Sequence, residues 1–569
     1  MSYNPPVSEQ RFVLDHVVGI NELTAHERYA AATSDMVDAI LEGAGAFAAG
    51  EYAPLNRAGD EIGARWADGK VTMPPGFREA YQAFVEGGWG TISAPEAYGG
   101  QGLPNVLGTV IMEDLGTANM GFSLINMLTP AAIESLIAAG TDAQRDTYLG
   151  KLITGEWNGT MNLTEPQAGS DVGALRTTAT PTGDGLYRIK GTKIFITFGE
   201  HDLTDNIVHL VLARTPGAPA GTRGISLFIV PKVRADGTHN DVRCVSIEHK
   251  MGIHASPTCV LSYGDNDDCL GELIGPEFGG MAAMFVMMNN ARLNVGLQGI
   301  QIAERATQQA VGYAMERIQS ARAGGATRDP VAIIEHPDVR RMLLRMKALT
   351  QGARALIYYA FGQLDRAHLG DADAQDRVDL LTPLAKAWGT DVGCEVASLG
   401  VQVHGGMGFI EETGAAQHYR DIRIAPIYEG TNGIQAADLV GRKLGLGGGA
   451  PLAALIADMR AEAQDAGLRA LIDDVEAVAA HLAGSGPDDR LAGSYPFLTM
   501  LSVAVGGWLM ERQGRIAAGV DGDPAFLAMK RAAADYFVGQ VVPEAAGLKA
   551  SALAGAELLY SVDAAAFAA

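Results

Sequence analysis

Cysteine is scarce in this sequence: four residues in 569, Cys244, Cys259, Cys269 and Cys394, with no CxxC pair among them. Thiols scattered so widely through a long chain are expected to be reduced, which excludes a disulfide framework and a cysteine-based zinc site. Positive charge is also in short supply. Forty-three Lys and Arg against 66 Asp and Glu leave a formal net charge of −23. That balance argues against a nucleic-acid binder, although local basic clusters can still attract a small anion. No run approaches the roughly 18 apolar residues of a membrane span. The longest candidate, residues 501–510, is short and interrupted by glycine. Residues 1–15 show no basic segment followed by an apolar one, so a soluble, cytoplasmic chain is the expectation. Also missing are a GxGxxG opening a βαβ unit, a Walker loop, HExxH and GxSxG. Their absence removes the commonest nicotinamide, phosphoryl, zinc and serine-hydrolase readings, and no metal site is expected.

What is present is an ordinary globular composition, 47% apolar, in a chain too long for one hydrophobic core. Residues 36–52 carry Val37, Ile40, Leu41, Ala44, Phe47 and Ala48 at helical spacing, with Pro54 marking the end. Pro74-Pro75-Gly76 opens a second helix over 77–86, and helical periodicity resumes over 106–115 and 130–139. After Trp157 the texture changes to short β-branched runs: 186–191 and 193–197 around a turn, then 207–213, 224–230 and 242–247. These predict a small barrel or sandwich. From Met281 the pattern is helical again to 444, with helices over 339–366 and 380–403. The stripe of Met281, Met284, Phe285, Met288, Val295 and Ile302 reads as core packing. The glycine-rich residues 445–451 read as a linker, and residues 452–569 as about four appended helices. The expected fold class is therefore α+β and multidomain. It comprises an N-terminal helical domain (1–155), a β domain (156–275), a helical bundle (276–446) and an appended helical domain (452–569).

Three stretches carry candidate chemistry. Residues 161–171 (MNLTEPQAGSD) bring Thr, Ser and backbone amides together around Pro and Gly, a donor set for a planar heterocycle or a phosphate, and equally a polar turn leading into strands. In 193–197, Phe195 and Thr197 share one strand face, which suits one side of a flat cofactor or a plain core-and-surface pair. In 427–435 (IYEGTNGIQ), Glu429 sits between a tyrosine and a glycine, downstream of Arg420, Arg423 and the glycine run at 405–408. A carboxylate on so tight a segment can act as a base if poorly solvated, or can cap the helix starting near Thr431, or can simply be solvated.

In this order, with a helical segment before the β segment and another after it, the chain resembles the flavoprotein acyl-CoA dehydrogenases over about residues 36–445. The resemblance rests on Thr164-Glu165-Pro166 with Ala168-Gly169-Ser170-Asp171, Phe195-Ile196-Thr197, Arg292, residues 402–406 and Tyr428-Glu429-Gly430-Thr431. The appended domain, the long N-terminal lead and Lys250-Met251-Gly252-Ile253-His254 resemble the long subgroup, which includes 3-methylmercaptopropionyl-CoA dehydrogenases and, more distantly, the very-long-chain enzymes.

The resemblance implies FAD as cofactor. It puts Met161, Leu163, Thr164, Gly169 and Ser170 against the flavin, Phe195 over one of its faces (where family members often have tryptophan) and Thr197 near N5. It puts Arg317, His336, Gln402, Val403, Gly405 and Gly406 at the adenosine diphosphate half across a subunit interface, with Thr431 and Asn432 also at the cofactor. Arg317-Ile318-Gln319 and Pro337 depart from the family pattern there. Ser170, Asn289, Arg292 and Gly430 would meet the acyl-CoA. Glu429 would abstract the α-proton while flavin N5 accepts the β-hydride, giving the trans-2-enoyl-CoA, with the Glu429 amide and a ribityl hydroxyl holding the oxyanion. Some branches place the base just before the arginine, where this chain has Ala291. An electron-transfer flavoprotein as electron acceptor and a homodimer are implied as well. The substrate stays open, 3-methylmercaptopropionyl-CoA or a short, medium or long fatty acyl-CoA. An acyl-CoA oxidase using oxygen and a non-catalytic scaffolding homologue are the alternatives.

Overall fold

Two units make up the chain: residues 31–291 form one, and residues 3–30 with 292–569 form the other. The structure, a computed structural model, describes residues 3–569, so Met1 and Ser2 of the N-terminal stretch lie outside it.

In the first unit, the Thr33 hydroxyl accepts from the Met36 amide and starts a helix over Ser34–Phe47 that buries Val37, Ile40, Leu41 and Ala44. Pro54 does not end this run. The chain passes through a π-turn over Ala48–Tyr52, and Pro54 sits in the first turn of the next helix, Ala53–Ile62. There its missing amide has no intrahelical partner to lose. The helix over Phe77–Glu86 falls where Pro74-Pro75-Gly76 placed it. Pro130 lies inside α1 (Met120–Ala139), which starts well before residue 130. By length and composition α1 could cross a membrane, contrary to the expectation that no segment could, and 72% of its most apolar window is buried. Gly121, Ser123, Asn126 and Thr129 break up the apolar run in the sequence. Inside the unit these small polar groups are satisfied locally: Asn126 donates to the Tyr52 hydroxyl at 2.9 Å and Ser123 to the Met120 carbonyl at 3.0 Å.

Eight strands follow: β1 (Trp157–Asn162), β2 (Thr178–Pro181), β3 (Leu186–Thr197), β4 (Asn206–Ala213), β5 (Ser226–Pro231), β6 (Val242–Ile247), β7 (Thr258–Tyr263) and β8 (Leu270–Ile274). Their order is β1-β4-β5-β8-β3-β7-β6, with β2 also on β3. The β1–β4 pair is parallel and the other pairs are antiparallel. β4 is buried along its whole length, as a strand dominated by Ile, Val and Leu requires, and it takes Asn206 and His209 inside with it. The two short strands expected at 186–197 are one strand. Pairing with β7 runs unbroken through Gly191–Lys193, where a turn was expected, and the register slips only between Lys193 and Ile196, a bulge inside the second run.

The second unit contains α2 from Arg292 onward (the helix spans Gly280–Glu316), α3 (Pro337–His368), α4 (Ala372–His404), a short α5 (Asn432–Asp438) and α6 (Ser494–Ala517). Glycines bring α2 and α4 together backbone to backbone. A Cβ on Gly296 would lie 2.4 Å from the Ala385 carbonyl, and one on Gly299 would lie 1.9 Å from that of Gly389. Beyond residue 450, four helices of at least 13 residues form: Ala450–Glu462, Ala466–Gly484, α6 and Pro524–Tyr536. Gly447, Gly448 and Gly449 all take positive φ in a tight turn, so this segment works as a corner and not as slack. α6, buried over most of its length, packs on α3, α4 and α5.

Candidate functional site

The loop after β1 is held by one buried carboxylate. Glu165 accepts from Lys193 Nζ (2.8 Å), the Arg176 amide (2.7 Å), the Thr177 amide (3.0 Å) and the Thr177 hydroxyl (2.5 Å). Lys193 also donates to the Leu163 carbonyl at 2.9 Å, and the Ile194 amide donates to the Thr164 carbonyl at 2.9 Å. Burial pushes the Glu165 carboxyl up, but Lys193 and the Thr177 and Arg176 donors outweigh it and hold it at about 2. With the loop pinned from beneath, Gly169 and Ser170 are exposed and Leu163 and Thr164 half-buried, while Met161 is buried in β1. The bulge in β3 turns Phe195 outward. Its φ is +60 and its ring is 58% exposed, unusual for a phenylalanine on both counts. Ile196 is buried and Thr197 half-buried, so Phe195 and Thr197 lie on the outer side of a strand whose Lys193 points inward. Simple alternation would have put all three on one face.

In the second unit, Glu429 closes a tight segment at the start of α5. The Tyr428 amide donates to Ile424 (3.1 Å) and the Asn432 amide to Pro426 (2.9 Å). The Thr431 hydroxyl caps α5 by accepting from the Ile434 amide, so the cap that Glu429 could have supplied is Thr431. Glu429 and Gly430 have φ of +55 and +83. A Cβ on Gly430 would lie 2.8 Å from Gln435 Nε2, which reaches back to the Gly430 carbonyl at 3.3 Å. Burial raises the Glu429 carboxyl above the ordinary carboxylate range, partly countered by Arg292 and Lys386. Arg292 is 5% exposed, lies 3.7 Å from Asp438, and keeps an Nε that no group among the described residues satisfies. The Tyr428 hydroxyl donates to Gln298 on α2.

The remaining candidates sit in the same unit. Arg317 is exposed, donating to the Gln319 side chain at 3.2 Å, and His336 Nε2 lies 2.8 Å from the Gln319 carbonyl. Pro337 opens α3 directly after His336, which explains a proline at that point. Gln402 is exposed and Val403 buried near the end of α4. Gly405 (φ +60) and Gly406 follow, and a Cβ on either would meet nothing within 4 Å. Asn432, expected against the cofactor, instead turns its side chain inward. It is 3% exposed and bonded to Ala387, Thr390, Asp391 and Lys386. Asn289, in the first unit, is half-buried on α2.

Family models match the chain in sequence: the acyl-CoA dehydrogenase N-terminal domain at 34–156, the middle domain at 160–265, the C-terminal domain at 279–444, and an acetyl-CoA dehydrogenase C-terminal-like domain at 450–563. The 3-methylmercaptopropionyl-CoA dehydrogenase of Ruegeria pomeroyi is 48% identical over 96% of this chain and 97% of its own. The chain belongs to the acyl-CoA dehydrogenase family. A chain from the electron-transferring flavoprotein structure of Acidaminococcus fermentans matches with a TM-score of 0.61 at 30% identity, covering 72% of this chain and 97% of that one. The acyl-CoA dehydrogenase of Bacillus anthracis, solved with FAD, shares the fold at 24% identity and a TM-score of 0.75, covering 92% of this chain and 89% of that one.

FAD is the cofactor of this dehydrogenase. In the first unit, an outward aromatic ring beside a pinned polar loop is a lining that suits a flat cofactor. One buried cation close to the Glu429 segment went unread in the sequence. Lys386 on α4 is fully buried, with Nζ 2.9 Å from Asn432 Oδ1. Its signal was a lone lysine inside the apolar run Leu384-Ala385-Lys386-Ala387-Trp388, because lysine is almost never fully buried without a partner.

Proposed function

We propose that the chain oxidises an acyl-CoA thioester to the trans-2-enoyl-CoA, with Glu429 as the base that takes the α-proton. Bound FAD supplies the acceptor for the β-hydride. The observation that carries this reading is the Glu429 segment itself. A carboxylate sits on a left-handed residue, anchored on one side by Tyr428 to α2 and on the other by the Thr431 cap. A carboxylate at its ordinary pKa of about 4.3 is too weak a base for a thioester α-proton, and desolvation corrects this by raising it. Arg292 and Lys386 pull against that rise and favour the ionised form. The Glu429 amide polarises the thioester carbonyl, so charge developing on oxygen meets a fixed donor.

Support for the substrate comes from the relative named for 3-methylmercaptopropionyl-CoA, which matches end to end. That thioester is the first to test, followed by straight chains from propionyl to palmitoyl. The electrons pass to an electron-transfer flavoprotein, and the active species is a homodimer whose partner completes the adenosine diphosphate site at Arg317, His336 and Gln402.

Glu429→Gln tests the assignment. The variant should keep the visible spectrum of bound FAD and the affinity for acyl-CoA, and should lose turnover with an artificial acceptor by about 10²–10⁴-fold. Near-wild-type dehydrogenation by that variant would remove Glu429 from the role.

A further inference from the structure

A chain of hydrogen bonds runs from the appended helices to the residues around Glu429. Tyr495, in the first turn of α6, donates to Asp391 Oδ2 at 2.6 Å. The other Asp391 oxygen accepts from Asn432 Nδ2 at 2.9 Å, and Asn432 Oδ1 accepts from Lys386 Nζ at 2.9 Å. Asn432 is further fixed by donating to the Ala387 carbonyl (3.1 Å) and the Thr390 hydroxyl (3.0 Å). Every polar atom of the Asn432 side chain is thus used, and its position is over-determined. Asn432 is also the first residue of α5, two positions from Gly430, so the same bonds hold the segment that carries Glu429. The approach of α4 to α2 at Gly296 and Gly299 is what brings the Lys386 turn to this place.

From this geometry we infer that Lys386 is a positioning residue for Glu429, and that Tyr495 of the appended domain holds it in place through Asp391 and Asn432. The inference rests on Glu429 being the base. It gives the appended domain a part in the reaction: α6 closes the far end of a network whose near end supplies a cation to the reacting carboxylate.

The charged groups around the network can be followed through each helix. Lys386 faces Glu429 from the α5 segment, Asp391 from its own helix and Arg292 from α2; burial pulls its amine down to about 7, against the two carboxylates, and Arg292 adds to the fall. Asp391 faces Tyr495, Asn432, Lys386 and Arg423, and burial raises it against those partners. Glu429 is raised by burial and lowered by Arg292 and Lys386. Removing the Lys386 cation therefore leaves only Arg292 to favour ionised Glu429, so its proton is released at higher pH and the acid limb of kcat moves up. Removing the Tyr495 hydroxyl makes Asp391 easier to protonate, weakens its pull on the Lys386 proton, and moves the same limb the same way by less.

The experiment is a set of kcat and KM profiles against pH on FAD-loaded wild type, Lys386→Met, Lys386→Arg, Tyr495→Phe and Glu429→Gln, with acyl-CoA and an artificial acceptor. Lys386→Met should shift the acid limb upward and lower kcat on the acid side on the order of tenfold, with KM little changed. Lys386→Arg should restore the wild-type limb. Tyr495→Phe, whose partly exposed ring tolerates the change, should fold normally and shift the limb less. A uniform loss of kcat at all pH in Lys386→Met and Tyr495→Phe, with the limb unmoved, would overturn the inference and leave the lysine a packing element. If Glu429→Gln itself turns over normally, the base assignment fails and the inference falls with it. If Glu429→Gln is inactive while the other profiles overlay wild type, only the network role fails.

Discussion

Breaking the ion pair beneath the loop after β1 tests how that loop is held. Lys193 is fully buried and Glu165 is 4% exposed, 2.8 Å apart. Their two shifts pull in opposite directions. Glu165 falls from 4.5 to about 2, so its bonds contribute about 3 kcal/mol that is present above an unfolded pKa of about 4.3 and lost as pH falls toward 2. Lys193 falls from 10.5 to about 8, a penalty of about 3 kcal/mol that holds below pH 8 and vanishes as pH rises past its unfolded value. At neutral pH the pair is close to neutral relative to two hydrated ions, as buried pairs often are. What is costly is stranding one member. Lys193→Met leaves a buried carboxylate without its cation and should destabilise the first unit by about 3–5 kcal/mol. Glu165→Gln should be milder, because the orphaned amine can shed its proton and still donate to Leu163.

The assay is thermal melting of the holoenzyme together with fluorescence of released FAD, since the loop that loses its anchor carries Thr164, Gly169 and Ser170. Lys193→Met should lower the melting temperature on the order of 10 °C and weaken FAD binding by about tenfold or more. The Lys193→Met/Glu165→Gln double variant should be less destabilised than the sum of the two singles by at least about 1 kcal/mol. Strict additivity, or single variants that melt with wild type, would refute the pinning argument.

Two further outcomes follow from strained positions. Phe195→Ala should leave the melting of the apoprotein unchanged, because the ring is mostly exposed. If the ring covers a face of the flavin, as the family resemblance implies, FAD binding should weaken up to about tenfold in an equilibrium titration of apoprotein with FAD, and unchanged binding would remove Phe195 from that role. Gly430→Ala puts a Cβ against Gln435 at a φ of +83, so it should retain FAD yet lose at least about tenfold in kcat in steady-state assays, as the Glu429 segment shifts.

The candidate site stretches were easier to read in the sequence than the long-range bonds that hold them. Thr164-Glu165-Pro166 and Tyr428-Glu429-Gly430-Thr431 show themselves because Pro, Gly and a local carboxylate restrict the backbone over a few neighbouring positions, and such restrictions are written in consecutive letters. The Lys193–Glu165 pair joins positions 28 residues apart, and Lys386–Asn432 joins positions 46 apart. No local pattern encodes either, and a buried lysine is the one visible trace of each. The same reasoning explains the misread elements. Alternation puts Phe195 and Lys193 on one face because a bulge leaves no period of its own. Pro54 reads as the end of one helix but opens the next, and Pro130 reads as a helix start although it lies inside a helix that packing carries through it. Asn432 shows the limit most sharply. The family resemblance puts it at the cofactor, yet four buried bonds turn its side chain toward α4, since an amide with two donors and an acceptor is the side chain that can tie a lysine, a threonine and an aspartate together. The glycine corner at 447–449 makes the same point for the appended helices. Positive φ at three successive residues redirects the chain onto α3 and α4, where Trp388 meets Phe537 edge to face at 6.0 Å, so a composition that suggests a tether produces a packed surface from which Tyr495 can reach Asp391.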